Sequence, residues 1–321
     1  MIKTICFFNH WHNGDVFAGK GYMQDLIRQV RYLRPDMRFQ HAQVNSLKTM
    51  RDLPCEHLRI EDLPPQITDT VPVLDIGTTL YVNTWVGVYG ASIFPEGQEH
   101  ANYVSLNKMW MHIHFLFKEL LGIELVQTLN VAEYIATTDW AYYDLSPAER
   151  WLGQHENVAI ICNGKVHSTQ SRLGAMQTIV RELSRDFPDI NWVCTSKIDV
   201  DEFENKHNVF FTDDIFAGVE DGDINEIAFL STRAFLIVGK NSGPFMFTHL
   251  QENLLDPNKI FVSLSHRSSD SYCWGIAGIK CRYYHFSGDD PANAAGVIRN
   301  AVWNRDQIGP GELEELGVRE E

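Results

Sequence analysis

Apolar residues fall into short continuous runs and helical repeats along this chain, and the order of these patterns predicts a parallel α/β fold. Residues 2–8 form an apolar run typical of a buried strand, and residues 19–33 carry apolar positions at helical spacing, ended by Pro35. Residues 39–44 predict the next strand. Such a strand-helix-strand unit builds parallel sheets, because parallel neighbours need a crossover connection.

The remaining patterns predict a second region of the same kind. The first half adds strands at 71–75 and 80–87 and a long helix at 103–121, ended by Gly122. The second half predicts strands at 158–162, 190–195, 209–211, 235–238 and 259–264, and helices at 173–187, 224–233 (with Asp223 as its N-cap) and 291–304. A chain of 321 residues is too long for one ordinary core. We therefore expect two domains, residues 1–150 and 151–321, with the segment 138–155 as their connection.

The amino-acid composition bears on membrane insertion and on the location of the protein in the cell. Hydrophobic residues make up 44% of the chain, but no run of 18 uninterrupted apolar residues occurs, so no membrane span is expected. The apolar N-terminal run is short and continues directly into polar residues from Asn9 to His12, which favours a buried strand over a signal segment. A cytoplasmic location is expected.

The net charge and the cysteine pattern disfavour a nucleic-acid substrate, disulfides and a zinc site. The net charge of -15 disfavours a nucleic-acid substrate. The six cysteines are scattered without a C-x-x-C pair, which favours reduced thiols over disulfides or a zinc site. Asp199-Val200-Asp201 continues into polar residues and is interpreted as a solvated loop. No metal and no cofactor are expected, and the glycine-rich motifs of kinase-like NTPases and dehydrogenases are missing from the sequence.

The segment after the strand at 235–238 is the sharpest candidate site. Asn241, Ser242 and Gly243 turn the chain before Pro244, a residue suited to the first turn of a helix. Ligands collect at the carboxyl ends of parallel strands, and free N–H groups at a helix start bind phosphate. A plain Asn-Ser-Gly-Pro turn explains the same residues equally well.

Two other loops follow predicted strands and carry cations. Lys165, Ser168 and Arg172 follow the strand at 158–162, where they are candidates to contact a diphosphate. The alternative is a polar loop whose hydroxyls cap the next helix. Arg267, beside His266, follows the strand at 259–264 and is either a phosphate contact or a solvated side chain.

The run from Asp223 to Pro244 resembles the donor domain of GT-B glycosyltransferases and is most similar to the ADP-heptose:lipopolysaccharide heptosyltransferase-like group. The likeness lies in the helix that contains Glu226, the strand after it and the Asn241-Ser242-Gly243-Pro244 turn; Gly14-Asp15 also resembles the acceptor-side turn of that group. The resemblance implies two Rossmann-like domains with parallel sheets facing a central cleft. It also implies a last helix that crosses back to the first domain.

The same resemblance implies roles for individual residues. Asn241, Ser242 and Gly243 would hold the donor diphosphate, Glu226 would lie near the nucleoside ribose, and Asp15 would be the catalytic base. The sequence departs from the family at Met246, where a histidine is usual, and at Asn241, where an aspartate is usual.

The loop between the first strand and helix concentrates reactive side chains around a polar turn at residues 13–15. An inverting glycosyl transfer needs one base to take the proton of the acceptor hydroxyl, and Asp15, His12 and His10 are the candidates. Trp11 is suited to stacking on a sugar face. The alternative is an exposed loop in which Asp15 only caps a helix.

We therefore predict a metal-independent, inverting glycosyltransferase of the GT-B type. Residues 1–150 would serve the acceptor and residues 151–321 a nucleotide-diphosphate sugar donor. The acceptor (a glycan, a lipid-linked glycan or a protein) and the oligomeric state stay undetermined by the sequence. The alternatives are a sugar-nucleotide epimerase, which needs no acceptor, and a non-catalytic nucleotide-sugar or carbohydrate-binding protein.

Overall fold

The computed structural model describes most of the chain as two compact units. The described residues are 1–44, 47–90, 102–128, 130–166, 171, 173–174, 176–219, 223–265, 271–273, 276–305 and 313–315. Unit 1 comprises Met1–Tyr142 with Gly275–Ala277, and unit 2 comprises Tyr143–Trp274 with Gly278–Glu321.

Unit 1 is built on a five-stranded sheet of order β3-β2-β1-β5-β4. All neighbouring strands are parallel except β4, which runs antiparallel to β5 at one edge. The strands are β1 (Thr4–Asn9), β2 (Arg38–Gln43), β3 (Glu56–Arg59), β4 (Val73–Ile76) and β5 (Thr79–Asn83), and the described helices are α1 (Asn13–Ala18), α2 (Lys20–Leu33) and α3 (Tyr103–Leu121).

Unit 2 is built on a seven-stranded, wholly parallel sheet of order β12-β11-β10-β9-β6-β7-β8. Its strands are β6 (Val158–Cys162), β7 (Asn191–Cys194), β8 (Val209–Phe211), β9 (Leu236–Gly239), β10 (Ile260–Leu264), β11 (Arg282–Phe286) and β12 (Leu313–Glu315). Its described helices are α4 (Ser146–Leu152), α5 (Met176–Asp186), α6 (Thr212–Ile215), α7 (Ile224–Arg233), α8 (Gly243–Phe247), α9 (Gln251–Leu254) and α10 (Pro291–Trp303). The predicted α/β class with two parallel-sheet units is confirmed.

Several predicted elements are confirmed at their bounds, and others differ for local reasons. Helix α3 has the predicted bounds, and Gly122 ends it in the left-handed conformation. The predicted turn at residues 13–15 is instead the first turn of α1, because the backbone N–H groups of Asp15 and Val16 donate to His12 O. The predicted strand at 80–87 stops at Asn83, and Asp223 makes no side-chain capping hydrogen bond.

The last helix belongs to unit 2, which corrects the expectation that it crosses back to the first domain. Arg299 on α10 forms an ion pair with Asp186 at the end of α5, with 2.7 Å between the nitrogen and the carboxylate oxygen. Apolar residues of both helices, including Leu183 and Ile298, share one core with Trp192 of the sheet. Burial of this face fixes both helices against the sheet.

The cysteines agree with the sequence prediction. All six cysteines are free thiols, as expected. Burial raises the pKa of Cys6 and of Cys194 to about 12, so these thiols are held protonated. Within the described residues, no helix is long and apolar enough to cross a membrane.

Two fully buried histidines make stability depend on pH. Burial lowers the pKa of His41 to about 3 and that of His249 to about 4. A histidine in the unfolded chain titrates near pH 6.5, so below that pH the unfolded state binds protons that the folded state excludes. We expect full stability above about pH 6.5 and a loss on the order of 3 kcal/mol per histidine as the pH falls through each folded-state pKa.

Chemical denaturation at a series of pH values between 4 and 7 measures this dependence. The variant His41→Leu should flatten the pH dependence of the stability of unit 1, because it removes a group that titrates only in the unfolded chain over this range. Both ring nitrogens of His41 are without a hydrogen-bond partner in the described structure. A pH dependence identical to that of the parent protein would contradict this account of His41.

Candidate functional site

The order of strands in unit 2 places a topological switch point at its centre. Strands β7 and β8 lie on one side of β6, and β9 to β12 lie on the other. At the carboxyl ends of the two central strands, Cys162 pairs with Gly239, and Lys240 N donates to Cys162 O at 3.4 Å. Crossovers leave in opposite directions there and open a crevice, which is where ligands bind in open parallel sheets.

The turn after β9 is tight because Gly239 lies directly beneath Phe245. A Cβ atom at position 239 would lie 2.2 Å from the Phe245 ring, so only glycine fits. Ser242 then occupies the N-cap position of α8 with Pro244 in its first turn, and Met246 N donates to Ser242 O at 2.9 Å. The predicted strand-turn-helix is therefore present, with its polar residues at the switch point.

Two polar groups of this turn have no partner among the described residues. The Lys240 side chain is 8% exposed, and no hydrogen bond or ion pair reaches its ammonium within the described chain; burial lowers its pKa. The Ser242 hydroxyl is also shielded from solvent and has no hydrogen-bond partner there. A largely buried lysine with no described ion-pair partner, beside a shielded hydroxyl with no hydrogen bond, is suited to an anionic ligand.

The loop after β6 is held in place by Asn163. Its Nδ2 donates to Ser196 O at 2.8 Å, and Ser196 N donates to its Oδ1 at 2.9 Å, which ties the carboxyl ends of β6 and β7 together. A cavity of about 440 Å³ opens beside this link, and Arg181 and Lys197 are among its lining residues. Lys165, in the same loop, is exposed. Cations therefore flank both sides of β6.

The other residues predicted to contact the donor differ in how deeply they are buried. Asn241 is 3% exposed, Gly243 is half-buried, and Glu226 is completely buried in the first turn of α7. Ser168 and Arg267 lie outside the described residues. The turn of Asn241, Ser242 and Gly243 and the loop of Lys165 thus follow the carboxyl ends of two neighbouring strands.

Met246 stands after the turn where the family pattern has a histidine, and the structure shows what surrounds this position. Met246 is fully buried, and His249 is also buried, with Nδ1 2.8 Å from Phe245 O and Nε2 2.9 Å from the Tyr283 hydroxyl. Both ring nitrogens of His249 are therefore satisfied by the protein, and the ring packs edge-on against Tyr272. His249 is a core residue and does not replace a ligand-binding histidine.

In unit 1, the segment with His10, His12 and Asp15 follows β1 at the edge where the carboxyl ends of β1 and β5 lie, the switch point of its own sheet. His12 is exposed at the N-cap position of α1, and Asp15 is half-buried in its first turn. Burial raises the pKa of Asp15, and the charge of His12 partly opposes that rise. A carboxylate with a raised pKa is a stronger proton acceptor, which suits a general base.

Sequence reasoning missed three residues that shape these sites. Asn163 directly follows a predicted strand and Lys240 lies two residues after another, and that position alone was the available signal. Trp85 is placed beside the His10 loop because β5 pairs with β1. No group of three or more His, Cys, Asp or Glu side chains in the described part of the chain is placed to hold a metal ion.

Comparison with known proteins finds no matching family model and no curated protein that matches in sequence. Among solved structures, the chain is similar to the E. coli heptosyltransferase WaaC with ADP, at 11% identity over 94% of this chain and 99% of that one, with a TM-score of 0.48. A glycosyl transferase family 9 structure from Veillonella parvula matches at 12% identity, 95% and 90% coverage, and a TM-score of 0.38. A UDP-N-acetylglucosamine 2-epimerase matches at 13% identity, 95% and 89% coverage, and a TM-score of 0.43.

The heptosyltransferase-like resemblance seen in the sequence thus recurs among structural neighbours.

Proposed function

We propose that this chain is a glycosyltransferase that moves a sugar from a nucleotide-diphosphate sugar to a hydroxyl acceptor without a metal ion. The observation that carries the proposal is that the ammonium of Lys240, a largely buried residue, and the shielded Ser242 hydroxyl have no partner among the described residues, at the switch point of a parallel sheet. An anion that enters there gains a charged hydrogen bond in a shielded environment.

The chemistry requires stabilisation of a leaving diphosphate. As the acceptor oxygen attacks the anomeric carbon, the bond from that carbon to the diphosphate oxygen breaks, and negative charge accumulates on the leaving group. Lys240, the hydroxyl of Ser242 and the N–H groups at the start of α8 are proposed to stabilise that charge. Lys165 is proposed as an additional, solvent-exposed cation, and Ser168 and Arg267 as further phosphate contacts.

Unit 1 is proposed to serve the acceptor, with Asp15 as the base that takes the proton of its hydroxyl. The raised pKa of Asp15 supports this role, because a carboxylate with an unperturbed pKa is a weak base. His12 is proposed to balance the charge of Asp15 before the reaction. A single displacement of this kind inverts the configuration at the anomeric carbon.

Thermal unfolding with a panel of nucleoside diphosphates and their sugar conjugates tests the donor site. A ligand at about a hundred times its Kd should stabilise the folded protein by about 2.7 kcal/mol, which raises the melting temperature by a few degrees. We expect one nucleotide series to produce this rise.

The variant Lys240→Met should separate binding from stability. It should weaken nucleotide binding by about ten- to a hundredfold, because a hydrogen bond to a charged group contributes about 1.5–3 kcal/mol. The melting temperature without ligand should stay the same or rise, since the cation of a largely buried residue with no described partner is removed. Ser242→Arg should also remove the response by filling the site, whereas the exposed control Lys206→Met should retain it.

Two outcomes would replace the proposal. If no nucleotide raises the melting temperature, the chain is better described as a carbohydrate-binding or assembly protein. If a nucleotide sugar binds and is converted to its epimer with no acceptor present, the chain is an epimerase.

A further inference from the structure

Two tryptophans form a stacked pair at the carboxyl ends of β1 and β5. The ring centroids of Trp11 and Trp85 lie 4.3 Å apart with 29° between the ring planes. Trp11 is nevertheless 37% exposed, so part of its ring remains open to solvent. An aromatic face that is partly open to solvent and held rigidly by a second ring provides a large contact surface for a ligand.

The pair is held by two matching turns. Trp11 N donates to Asn9 Oδ1, and Trp85 N donates to Asn83 Oδ1, each at 2.9 Å. The two turns are joined to each other, since Asn9 Nδ2 donates to the Thr84 hydroxyl at 3.3 Å. Asn9, Asn83 and Thr84 are almost completely buried, so the backbone under both rings is fixed by the sheet.

Gly87 leaves space for the ring of Trp85. A Cβ atom at position 87 would lie 2.4 Å from two carbons of the Trp85 ring. Trp85 therefore contacts the Gly87 backbone and Trp11, and its position depends on the absence of a side chain at residue 87. The pair is consequently preorganised, and little side-chain entropy is lost when a ligand stacks on it.

Hydrogen-bonding groups accompany this surface. The Nδ1 atom of His10, the residue before Trp11, is buried and has no hydrogen-bond partner among the described residues. His12 and Asp15 follow Trp11 on the other side. An apolar face beside an imidazole and a carboxylate is suited to a molecule that has one apolar face and several hydroxyls.

We propose that Trp11 and Trp85 form the floor of an acceptor subsite that takes a pyranose ring, so that the acceptor group is a sugar. The axial C–H groups of a pyranose make one face of the ring apolar, and that face packs on the negative face of an indole. This inference rests on the proposed transferase function. A phosphorylated nucleotide would also stack, but the carboxylates of Asp15 and of Asp69, whose charge acts on His10, would repel it.

Circular dichroism of the tryptophan pair provides a direct test. Two stacked indoles couple and give a characteristic pair of bands, which Trp11→Ala and Trp85→Phe should change and Trp303→Ala, an exposed tryptophan of unit 2, should not. Titration with methyl glycosides and short oligosaccharides should perturb these bands in the full-length protein. Trp11→Ala should weaken that saccharide binding by about tenfold or more, as expected when about 1.4 kcal/mol or more of stacking is lost.

Gly87→Ala provides a second variant that leaves both tryptophans in the chain. Its Cβ should displace the Trp85 ring and weaken saccharide binding, whereas Gly296→Ala, where a Cβ meets nothing within 4 Å, should bind as the parent protein does. Saccharides that leave the bands unchanged, or that bind equally well to Trp11→Ala, would overturn the inference. Perturbation by nucleosides or alkyl chains in place of saccharides would overturn it as well.

The nucleotide panel keeps the two proposals distinct. If nucleotides stabilise the protein and no saccharide binds at Trp11, the transferase proposal stands and the inference that the acceptor group is a sugar is wrong. If saccharides bind at Trp11 and no nucleotide stabilises the protein, the transferase proposal fails and unit 1 is a carbohydrate-binding unit without an acceptor role.

Discussion

Replacing Asp15 by asparagine is expected to lower the rate of sugar transfer by about 10²- to 10⁴-fold, the usual contribution of a general base. Asparagine has nearly the same shape but cannot accept a proton, so α1 should keep its backbone hydrogen bonds to His12 O. The measurement is the rate at which nucleoside diphosphate is released from the donor that the nucleotide panel selects, with water or a saccharide as acceptor.

A matched substitution separates the loss of a base from the loss of a charge. Asp36→Asn removes an exposed carboxylate of unit 1, whose pKa is lowered by its hydrogen bond to Arg34, and should leave the release rate unchanged. Stabilisation by the nucleotide should be the same in both variants, because the donor groups lie in unit 2. Release from Asp15→Asn at the rate of the parent protein would exclude Asp15 as the base and leave His10 or His12.

Replacing Asp52 by alanine should destabilise unit 1 by about 3–5 kcal/mol, because it leaves a buried cation without its partner. Lys20 Nζ lies 2.7 Å from Asp52 Oδ2, with side-chain exposures of 0% and 1%. Lys20 also donates to the Thr138 hydroxyl at 2.9 Å, and Asp139 N donates to Asp52 Oδ2 at 3.1 Å. The pair thus joins three separate segments of the chain, and urea unfolding of the full-length protein measures the loss.

Two further variants make this prediction specific. Lys20→Met combined with Asp52→Leu should recover most of the loss, since an apolar pair replaces two buried charges without leaving one unpaired. Asp214→Ala breaks an ion pair of the same 2.7 Å length whose side chains are 57% and 60% exposed, and should change stability by at most about 1 kcal/mol. Equal effects of Asp52→Ala and Asp214→Ala would show that burial does not set the strength of the pair.

The sequence determined most of the elements that position the candidate site. Strands β6 and β9 are buried on both faces and therefore appear as continuous apolar runs. Pro244 after small polar residues marked the start of α8, and Gly122 marked the end of α3. These signals are local, because they depend on backbone conformation and on the burial of one run at a time.

Three strands with polar residues, β3, β11 and β12, escaped prediction for the opposite reason. Strand β11 contains Arg282 and His285, both buried. Arg282 donates to Asn304 O at 3.2 Å, and the Nδ1 of His285 lies 3.2 Å from the Ser265 hydroxyl, so each side chain has one polar contact to a residue distant in sequence. Strand β3 (Glu56–Arg59) is likewise mostly polar. A pattern that assigns buried strands by apolarity cannot detect such elements.

By itself, then, the sequence determined the α/β class, the turn at Asn241 and the reactive loop from His10 to Asp15. Only the tertiary structure decided that Gly239 lies beside Cys162, that Lys240 is buried without a described partner, and that Trp11 stacks on Trp85. The physical reason is strand order: which carboxyl ends become neighbours depends on the direction of each crossover, and burial depends on what packs over a residue from elsewhere in the chain.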